Sequence, residues 1–156
     1  MTNRKAVKKS LVVPVFNEEA CITPFLEKIE QTFPEDTSDN LEIVFVDDGS
    51  TDTTLQQLIE LQTTNNKIKI IELSRNFGKE AALLAGIKQT DGDVVIPIDV
   101  DLQDPPELIH DMMRKWQAGN EVVLAVRTDR QTDSLKKRLF AFGYSLFYKV
   151  QEFLLE

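Results

Sequence analysis

The chain has 156 residues, 42% of them hydrophobic and 28% charged, a composition that predicts one compact domain with an apolar core. Its 18 Lys and Arg face 26 Asp and Glu, and this net charge of -8 excludes a general nucleic-acid binder, whose affinity depends on clustered cations. The single cysteine, Cys21, excludes an internal disulfide and favours a reducing, cytoplasmic compartment.

Membrane insertion is not expected from the hydropathy pattern. The first ten residues are polar and basic, unlike a secretory signal. The sequence also contains no stretch of the roughly 20 uninterrupted apolar residues that span a bilayer. The chain is therefore predicted to be soluble or membrane-peripheral.

Short β-branched runs alternate with longer helical patterns, which predicts an α/β fold with a mostly parallel sheet. The predicted strands are residues 10–16, 41–47, 67–74, 94–98 and 121–126. The predicted helices are residues 18–33, 51–63, 79–89 and 105–118. Because parallel strands end at one rim of a sheet, the polar segments that follow them should converge there.

An acidic cluster follows the fourth predicted strand. Asp99 and Asp101, with the amide oxygen of Gln103, suit Mg²⁺ or Mn²⁺, and a diphosphate would complete the coordination shell. An alternative is that Asp101 or Asp104 caps the next helix, with Pro105 in its first turn. Capping does not explain Asp99, because an unpaired carboxylate at the end of an apolar strand is costly.

The segments after the first two strands also have two interpretations. Asn17 either caps the first helix or contributes to a ligand pocket. Asp47 and Asp48 end the second strand, where Gly49 permits a positive φ and Ser50 or Thr51 would cap the next helix. Two adjacent carboxylates are more than a cap requires.

Basic side chains follow the third and fifth strands. Arg75 and Lys79 flank Gly78 at a strand-to-helix turn, where backbone N–H groups and a cation can face an anion. Arg127 and Arg130 can hold phosphates through their planar guanidinium groups. The alternative for both pairs is a solvated loop.

Four motifs occur in the order and spacing of the inverting glycosyltransferases with the GT-A fold: VPVFNEE, VDDGSTD, LSRNFGKEAALLAG and DVDLQDPPE. The chain most resembles the polyprenyl-phosphate branch, which includes bactoprenol glucosyltransferases and dolichol-phosphate mannose synthases. This resemblance implies a GT-A sheet with helices on both faces and a donor pocket that includes Pro14, Asn17, Glu19, Asp47, Asp48, Ser50, Lys79, Asp99, Arg127 and Arg130. It also implies a metal at Asp99, Asp101 and Gln103, with Asp48 recognising the base.

The resemblance predicts transfer of a sugar, with inversion, from a nucleotide diphosphate to a polyprenyl phosphate. The form Asp101-Leu102-Gln103-Asp104-Pro105 favours UDP-glucose as donor, with GDP-mannose second and cell-surface polysaccharide synthesis a further alternative. Residues 1–134 would form the donor-binding domain. Residues 135–156 repeat apolar and aromatic side chains at helical spacing behind a basic run, a pattern typical of an amphipathic helix that packs on its own domain or lies at a membrane surface. The lipid-linked acceptor that the resemblance implies favours the membrane surface.

Relatives of this branch continue beyond the length of this chain, so the general base is expected after Glu156, and the full-length protein is expected at the cytoplasmic face of the membrane. The sequence is also compatible with a homo-oligomer. A receiver-type signalling domain is a weaker interpretation, because its characteristic positions hold Asn17, Ser74 and Arg127 here. A nucleotidyltransferase would need a glycine-rich loop after the first strand, where Phe16 to Glu19 stand instead.

Overall fold

The computed structural model describes residues 7–125. A sheet of four parallel strands forms its centre, in the order β3-β2-β1-β4. The strands are β1 Lys9–Val15, β2 Leu41–Asp47, β3 Ile68–Glu72 and β4 Val94–Pro97. The helices are α1 Ile22–Thr32, α2 Thr54–Thr64, α3 Lys79–Ile87 and α4 Leu108–Gln117. The predicted α/β class and parallel sheet are therefore confirmed.

Helices cover both faces of the sheet because the side chains of each strand alternate between two apolar layers. Leu11 and Val13 of β1 face the larger layer, together with side chains of α1, α2 and α4. Val12 faces the smaller layer, where Ala82 of α3 packs. With both faces of its middle strands buried, the sheet presents its polar groups mainly at the strand ends.

Helix α3 lies unusually close to the sheet at Gly86. A Cβ atom at this position would come within 2.8 Å of Val46 Cγ2 and still closer to Val12 Cγ1. Glycine in a helix lowers stability by about 1 kcal/mol relative to alanine. At Gly86 this loss is accompanied by close packing of α3 on β1 and β2.

Three helices begin later than predicted. The predicted starts at residues 18, 51 and 105 become Ile22, Thr54 and Leu108. Before α1, Asn17 has a φ of 55°, outside the helical range, and before α4 residues 105–107 form a turn in which Leu108 N–H donates to the Pro105 carbonyl. Asn17, Ser50, Thr51 and Asp104 therefore do not start these helices. Of the predicted fifth strand, the described residues 121–125 contain only an isolated bridge at Leu124.

A charged network closes the end of the sheet where the strands begin. Buried Glu42 accepts a hydrogen bond from Ser10 Oγ, and its Oε2 lies 2.5 Å from Lys69 Nζ. Lys8 Nζ lies 2.5 Å from Asp91 Oδ1, and the Asp91 N–H donates to Glu42 Oε1 at 3.0 Å. The network ties β1, β2, β3 and the turn before β4 together.

None of the helices within residues 7–125 has the length and apolar character needed to cross a membrane.

Candidate functional site

A cleft of about 330 Å³ opens where β1, β2 and β4 end. This volume lies at the lower end of the range for small-molecule sites, and its place at the carboxyl edge of a parallel sheet is where open α/β folds bind ligands. Its lining residues are Pro14, Val15, Phe16, Glu18, Asp48, Asn76, Gly78, Lys79, Asp99, Val100 and Asp101. The cleft thus brings together Pro14, Asp48, Lys79, Asp99 and Asp101 of the predicted site.

Asp48 forms the floor of the cleft and holds the loop between β3 and α3. It is 3% exposed, and its Oδ1 and Oδ2 accept the N–H groups of Phe77 and Gly78, each at 2.8 Å. Gly49 packs below this loop, since a Cβ there would meet the Arg75 backbone at 2.7 Å. The Asp48 carboxylate therefore shapes the cleft, while its remaining lone pairs can still accept hydrogen bonds from a ligand.

The facing wall carries an ion pair between Lys79, the first residue of α3, and Asp99, which follows β4. Lys79 Nζ lies 2.6 Å from Asp99 Oδ1 and 2.7 Å from Oδ2, so one ammonium group contacts both carboxylate oxygens. The Lys79 side chain is 54% exposed and that of Asp99 38%. The pair therefore stands open to the cleft and to solvent.

The loop after Asp99 is shaped by packing and by an unusual backbone conformation. Val100 is buried, and Leu102 packs partly against the core with a φ of 57°, a left-handed value that a leucine adopts at an energetic cost. Between them Asp101 is exposed, and its Oδ1 accepts the N–H of Gln103 at 3.1 Å. The loop thus presents the Asp99 and Asp101 carboxylates at the cleft, whereas the exposed Gln103 is outside its lining.

Three predicted pocket residues join the loops after β1 and β2. Asn17 Oδ1 accepts the Thr51 N–H at 2.8 Å, and the Asn17 N–H donates to Ser50 Oγ at 3.0 Å. Glu19 Oε2 accepts the N–H and hydroxyl of Thr53 at 3.0 and 2.6 Å. Within residues 7–125, Asn17, Glu19 and Ser50 are absent from the cleft lining, so nucleotide contact through them stays a prediction.

Asp47, the last residue of β2, is buried next to these hydrogen-bonded loops. Its Oδ2 accepts the Ser50 N–H at 3.1 Å, whereas its buried Oδ1 has no hydrogen-bond partner in the part of the chain that the structure describes. Buried polar atoms are usually paired, because leaving one unpaired is costly. Asp47 is 1% exposed and is not among the residues that line the cleft. Its contact with a nucleotide also remains a prediction.

The acidic side of the cleft fits a cation that is shared with a ligand. Residues 7–125 contain no group of three or more His, Cys, Asp and Glu placed to hold a metal ion. Two carboxylates do border the cleft, those of Asp99 and Asp101, and oxygen donors of this kind suit a hard divalent cation that keeps waters or takes phosphate oxygens. The donor set therefore fits a partly solvated ion better than an all-protein cage.

Glu18 adds negative charge to the same side of the cleft, and sequence reasoning missed it. A side-chain hydrogen bond with Glu18 raises the pKa of the Cys21 thiol, and burial and the charges of Glu18 and Asp101 act in the same direction. The signal for Glu18 was its place after a strand, but the predicted helix start at residue 18 assigned it to a first helical turn. It lies before α1, not in its first turn.

Asn76 and Gly78 line the cleft through the loop that Asp48 holds, and Phe16 lines it from the end of β1. The sequence signal for the loop was Gly78, whose φ is 96°. Arg75, in contrast, lies with its guanidinium 4.2 Å from the Phe77 ring centre, and both side chains are exposed. The predicted residues Arg127 and Arg130, and the predicted helix at residues 135–156, lie outside the described residues.

Two curated relatives share almost all of this chain. A bactoprenol glucosyl transferase of Shigella phage SfX is 48% identical over 145 residues, covering 92% of this chain and 47% of that protein. An uncharacterized glycosyltransferase of Synechocystis is 45% identical over 144 residues, covering 92% of this chain and 44% of that protein. The chain thus spans less than half the length of these relatives.

The fold also has solved counterparts. A mannosyltransferase from Pyrobaculum calidifontis, solved in complex with GDP-Man and Mn²⁺, is 26% identical with a TM-score of 0.66, covering 81% of this chain and 37% of that chain. This similarity confirms the GT-A arrangement that the four motifs implied. The family model described as Glycosyl transferase family 2 matches residues 10–154. The chain therefore belongs to glycosyl transferase family 2.

Proposed function

We propose that this chain forms the donor-binding half of a glycosyltransferase that moves glucose from UDP-glucose to a polyprenyl phosphate with inversion. The observation that carries the proposal is the cleft in which Asp48, Lys79, Asp99 and Asp101 meet at the ends of three parallel strands. The bactoprenol glucosyl transferase of phage SfX, 48% identical, supports both the sugar and the lipid.

Within this proposal the cleft binds a nucleotide at one side and its diphosphate at the other. Asp48, which lines the cleft, accepts a hydrogen bond from the base, and its sequence neighbour Asp47 is assigned to the ribose. Pro14, Asn17, Glu19 and Ser50 shape the base end, directly or through the loops they hold. Lys79, Arg127 and Arg130 offer cations to the phosphates.

Asp99 and Asp101, with Gln103 as an accessory, would hold Mg²⁺ or Mn²⁺. The Mn²⁺ in the Pyrobaculum mannosyltransferase supports this assignment. When bound, such a cation supplies Lewis-acid stabilisation of the charge that develops on the departing diphosphate. Asp99 and Asp101 would hold that cation at the edge of the cleft, where it would offset their negative charge toward the diphosphate.

The acceptor in this proposal is a phosphate monoester oxygen that attacks the anomeric carbon from the face opposite the diphosphate. A phosphate monoester is already largely ionised at neutral pH, because its second pKa is about 6. Positioning therefore contributes more than deprotonation. We assign no general base to residues 7–125, and we propose that residues 135–156 bring the domain to the cytoplasmic membrane surface where the lipid acceptor lies.

A second donor is GDP-mannose, which the GDP-Man complex of the Pyrobaculum mannosyltransferase favours. A thermal-shift panel of UDP-glucose, UDP, GDP-mannose and GDP, each with Mn²⁺, separates the two. Because a ligand that binds only the folded state raises the unfolding midpoint, UDP compounds should give the larger shift. A larger shift with the guanine nucleotides would replace UDP-glucose by GDP-mannose.

Isothermal titration calorimetry tests the site itself. UDP-glucose should bind the wild-type chain in Mn²⁺, and Asp99→Ala and Asp101→Ala should each weaken binding at least tenfold, since a charge-assisted contact contributes about 1.5–3 kcal/mol. Glu35→Gln, an exposed change in the loop after α1, is the matched control and should bind as the wild type does. Binding that is indifferent to Mn²⁺ and survives both alanine changes would refute the site.

A further inference from the structure

We propose that Lys79 competes with the divalent cation for the carboxylate of Asp99, so that cation and donor bind cooperatively. This inference rests on the proposed function and goes beyond it, because it gives Lys79 two successive partners. In the free chain the ammonium group neutralises Asp99. In the loaded chain the cation takes that carboxylate and the ammonium group turns to the diphosphate.

The ion pair supplies the first step. Lys79 Nζ contacts both Asp99 oxygens, at 2.6 and 2.7 Å, so the lysine covers the two atoms that a metal would bind. A cation that approaches either oxygen meets a positive charge within a few ångströms. Two positive charges so close to one carboxylate repel each other, so the lysine and the cation cannot share it without a loss of affinity.

The freedom of the lysine supplies the second step. Its side chain is 54% exposed, and it follows Gly78, around which there is open space. Lys79 can therefore leave Asp99 without unpacking the core. Asp99 is held more firmly, because Ile98 and Val100 on either side of it are buried.

The position of Lys79 supplies the third step. It is the first residue of the nine-residue helix α3, and it lines the cleft together with Asp48 and Asp101. Anions are favoured at a helix amino terminus, where the backbone N–H groups point outward. A diphosphate in the cleft therefore offers the ammonium group a new partner once the cation has taken Asp99.

Cooperativity follows from this exchange. Without donor, the cation must displace Lys79 into water, which weakens cation binding. With donor present, the displaced ammonium group gains a phosphate contact, so cation binding tightens. By thermodynamic reciprocity the cation strengthens donor binding by the same factor.

The test measures Mn²⁺ affinity by electron paramagnetic resonance at one fixed pH, with and without saturating UDP-glucose, or GDP-mannose if the panel selects it. Lys79→Met removes the charge but keeps the length of the side chain, and Lys79→Gln provides a second neutral variant. In both, Mn²⁺ alone should bind up to about fivefold more tightly than in the wild type, because an exposed ion pair no longer has to be broken. The tightening by donor should shrink.

Lys88→Met is the matched control, because Lys88 is exposed at the other end of the same helix and its loss changes the net charge equally. It should leave the Mn²⁺ affinity and the donor effect as in the wild type. Asp99→Asn separates the two proposals, since it should abolish the donor-dependent Mn²⁺ binding.

Three outcomes are decisive. Tighter binding of Mn²⁺ alone in the Lys79 variants, together with a smaller donor effect, supports the inference. Unchanged or weaker binding of Mn²⁺ alone in these variants, while Asp99→Asn still abolishes donor-dependent binding, overturns the inference and leaves the proposed function standing. Wild-type Mn²⁺ binding that Asp99→Asn does not alter would overturn both.

Discussion

At the scale of single residues, Asp48 links ligand recognition to the shape of the cleft. Its two oxygens accept N–H groups from Phe77 and Gly78, residues that lie 29 and 30 positions later in the chain. The same carboxylate that we propose for base recognition therefore also holds the loop between β3 and α3, which lines the cleft. A change at Asp48 should alter stability as well as binding.

Asp48→Asn tests this double role. One oxygen becomes an NH₂ group that cannot accept the loop N–H, and a buried donor left unpaired costs about 1–3 kcal/mol. We expect a loss of unfolding free energy of that order in urea denaturation, with faster hydrogen exchange at Phe77 and Gly78. Asp39→Asn, an exposed change, should have no such effect. Wild-type stability and exchange in Asp48→Asn would show that the loop holds itself.

The residues of the cleft were predictable to different degrees. Pro14, Lys79, Asp99 and Asp101 meet there because parallel strands end at one rim, and strand order along the chain is readable from hydrophobic runs. Asn17 was ambiguous for a physical reason. A capping side chain accepts a backbone N–H, and the sequence does not tell whether that N–H belongs to its own helix or, as here, to Thr51 of the next loop.

At the scale of elements, the helix starts were the least predictable feature. The loops before α1 and α2 hold each other by hydrogen bonds, such as that from the Thr51 N–H to Asn17 Oδ1, and both helices start later than their periodic patterns suggest. Hydrophobic periodicity indicates which face of a helix is apolar, but it contains no information about contacts between loops. The close approach of α3 to the sheet at Gly86 was also invisible in the pattern.

Gly86→Ala tests that close approach. Alanine improves helix propensity by about 1 kcal/mol, but the added methyl overlaps Val12 and Val46, and overpacking of a core costs about 1–3 kcal/mol. We expect a net loss of stability in chemical denaturation. In a double-mutant cycle, Val12→Ala should reduce the cost of Gly86→Ala because it removes the side-chain atom nearest the new methyl. A stabilised Gly86→Ala would contradict the close packing.

At the scale of the whole molecule, the charged groups at the two ends of the sheet differ in how far they are exposed to solvent. At the carboxyl end Asp99 and Asp101 border an open cleft, and the Lys79–Asp99 pair there is exposed to solvent. At the amino end the buried carboxylate of Glu42 is enclosed by Lys8, Lys69 and Asp91. The overall class and the rim where the cleft opens were predictable, because both follow from the alternation of strands and helices. The amino-end network was not predictable, because its charged residues are far apart in the sequence and become neighbours only through the register of the strands.

The amino-end network predicts acid sensitivity. A hydrogen bond from Lys8 lowers the pKa of Asp91 below its usual 3.8; burial opposes this shift, and Glu42 and Lys69 reinforce it. A carboxyl whose folded pKa is depressed contributes stability above its unfolded pKa, and this is lost as the pH falls through the folded value. Wild-type stability should therefore fall more steeply below about pH 4 than that of Asp91→Asn.

Urea denaturation at a series of pH values between 6 and about 2 checks this expectation. Asp39→Asn should keep the steep acid limb of the wild type, because Asp39 is exposed and lies outside the amino-end network. Parallel acid limbs for the wild type and Asp91→Asn would show that the network adds nothing to acid stability.

The central position of β1 also bears on how the chain is made. β1 pairs with β2 and with β4, and the hydrogen bond from the Lys8 N–H to Asp93 spans 85 positions of sequence. At a synthesis rate of roughly 5–20 residues per second, β1 waits roughly 4–17 s for its last neighbour to be made. During that interval a strand destined to be buried on both faces has an open edge. The nascent chain is therefore most exposed to aggregation, and most in need of a chaperone, before residue 97 leaves the ribosome.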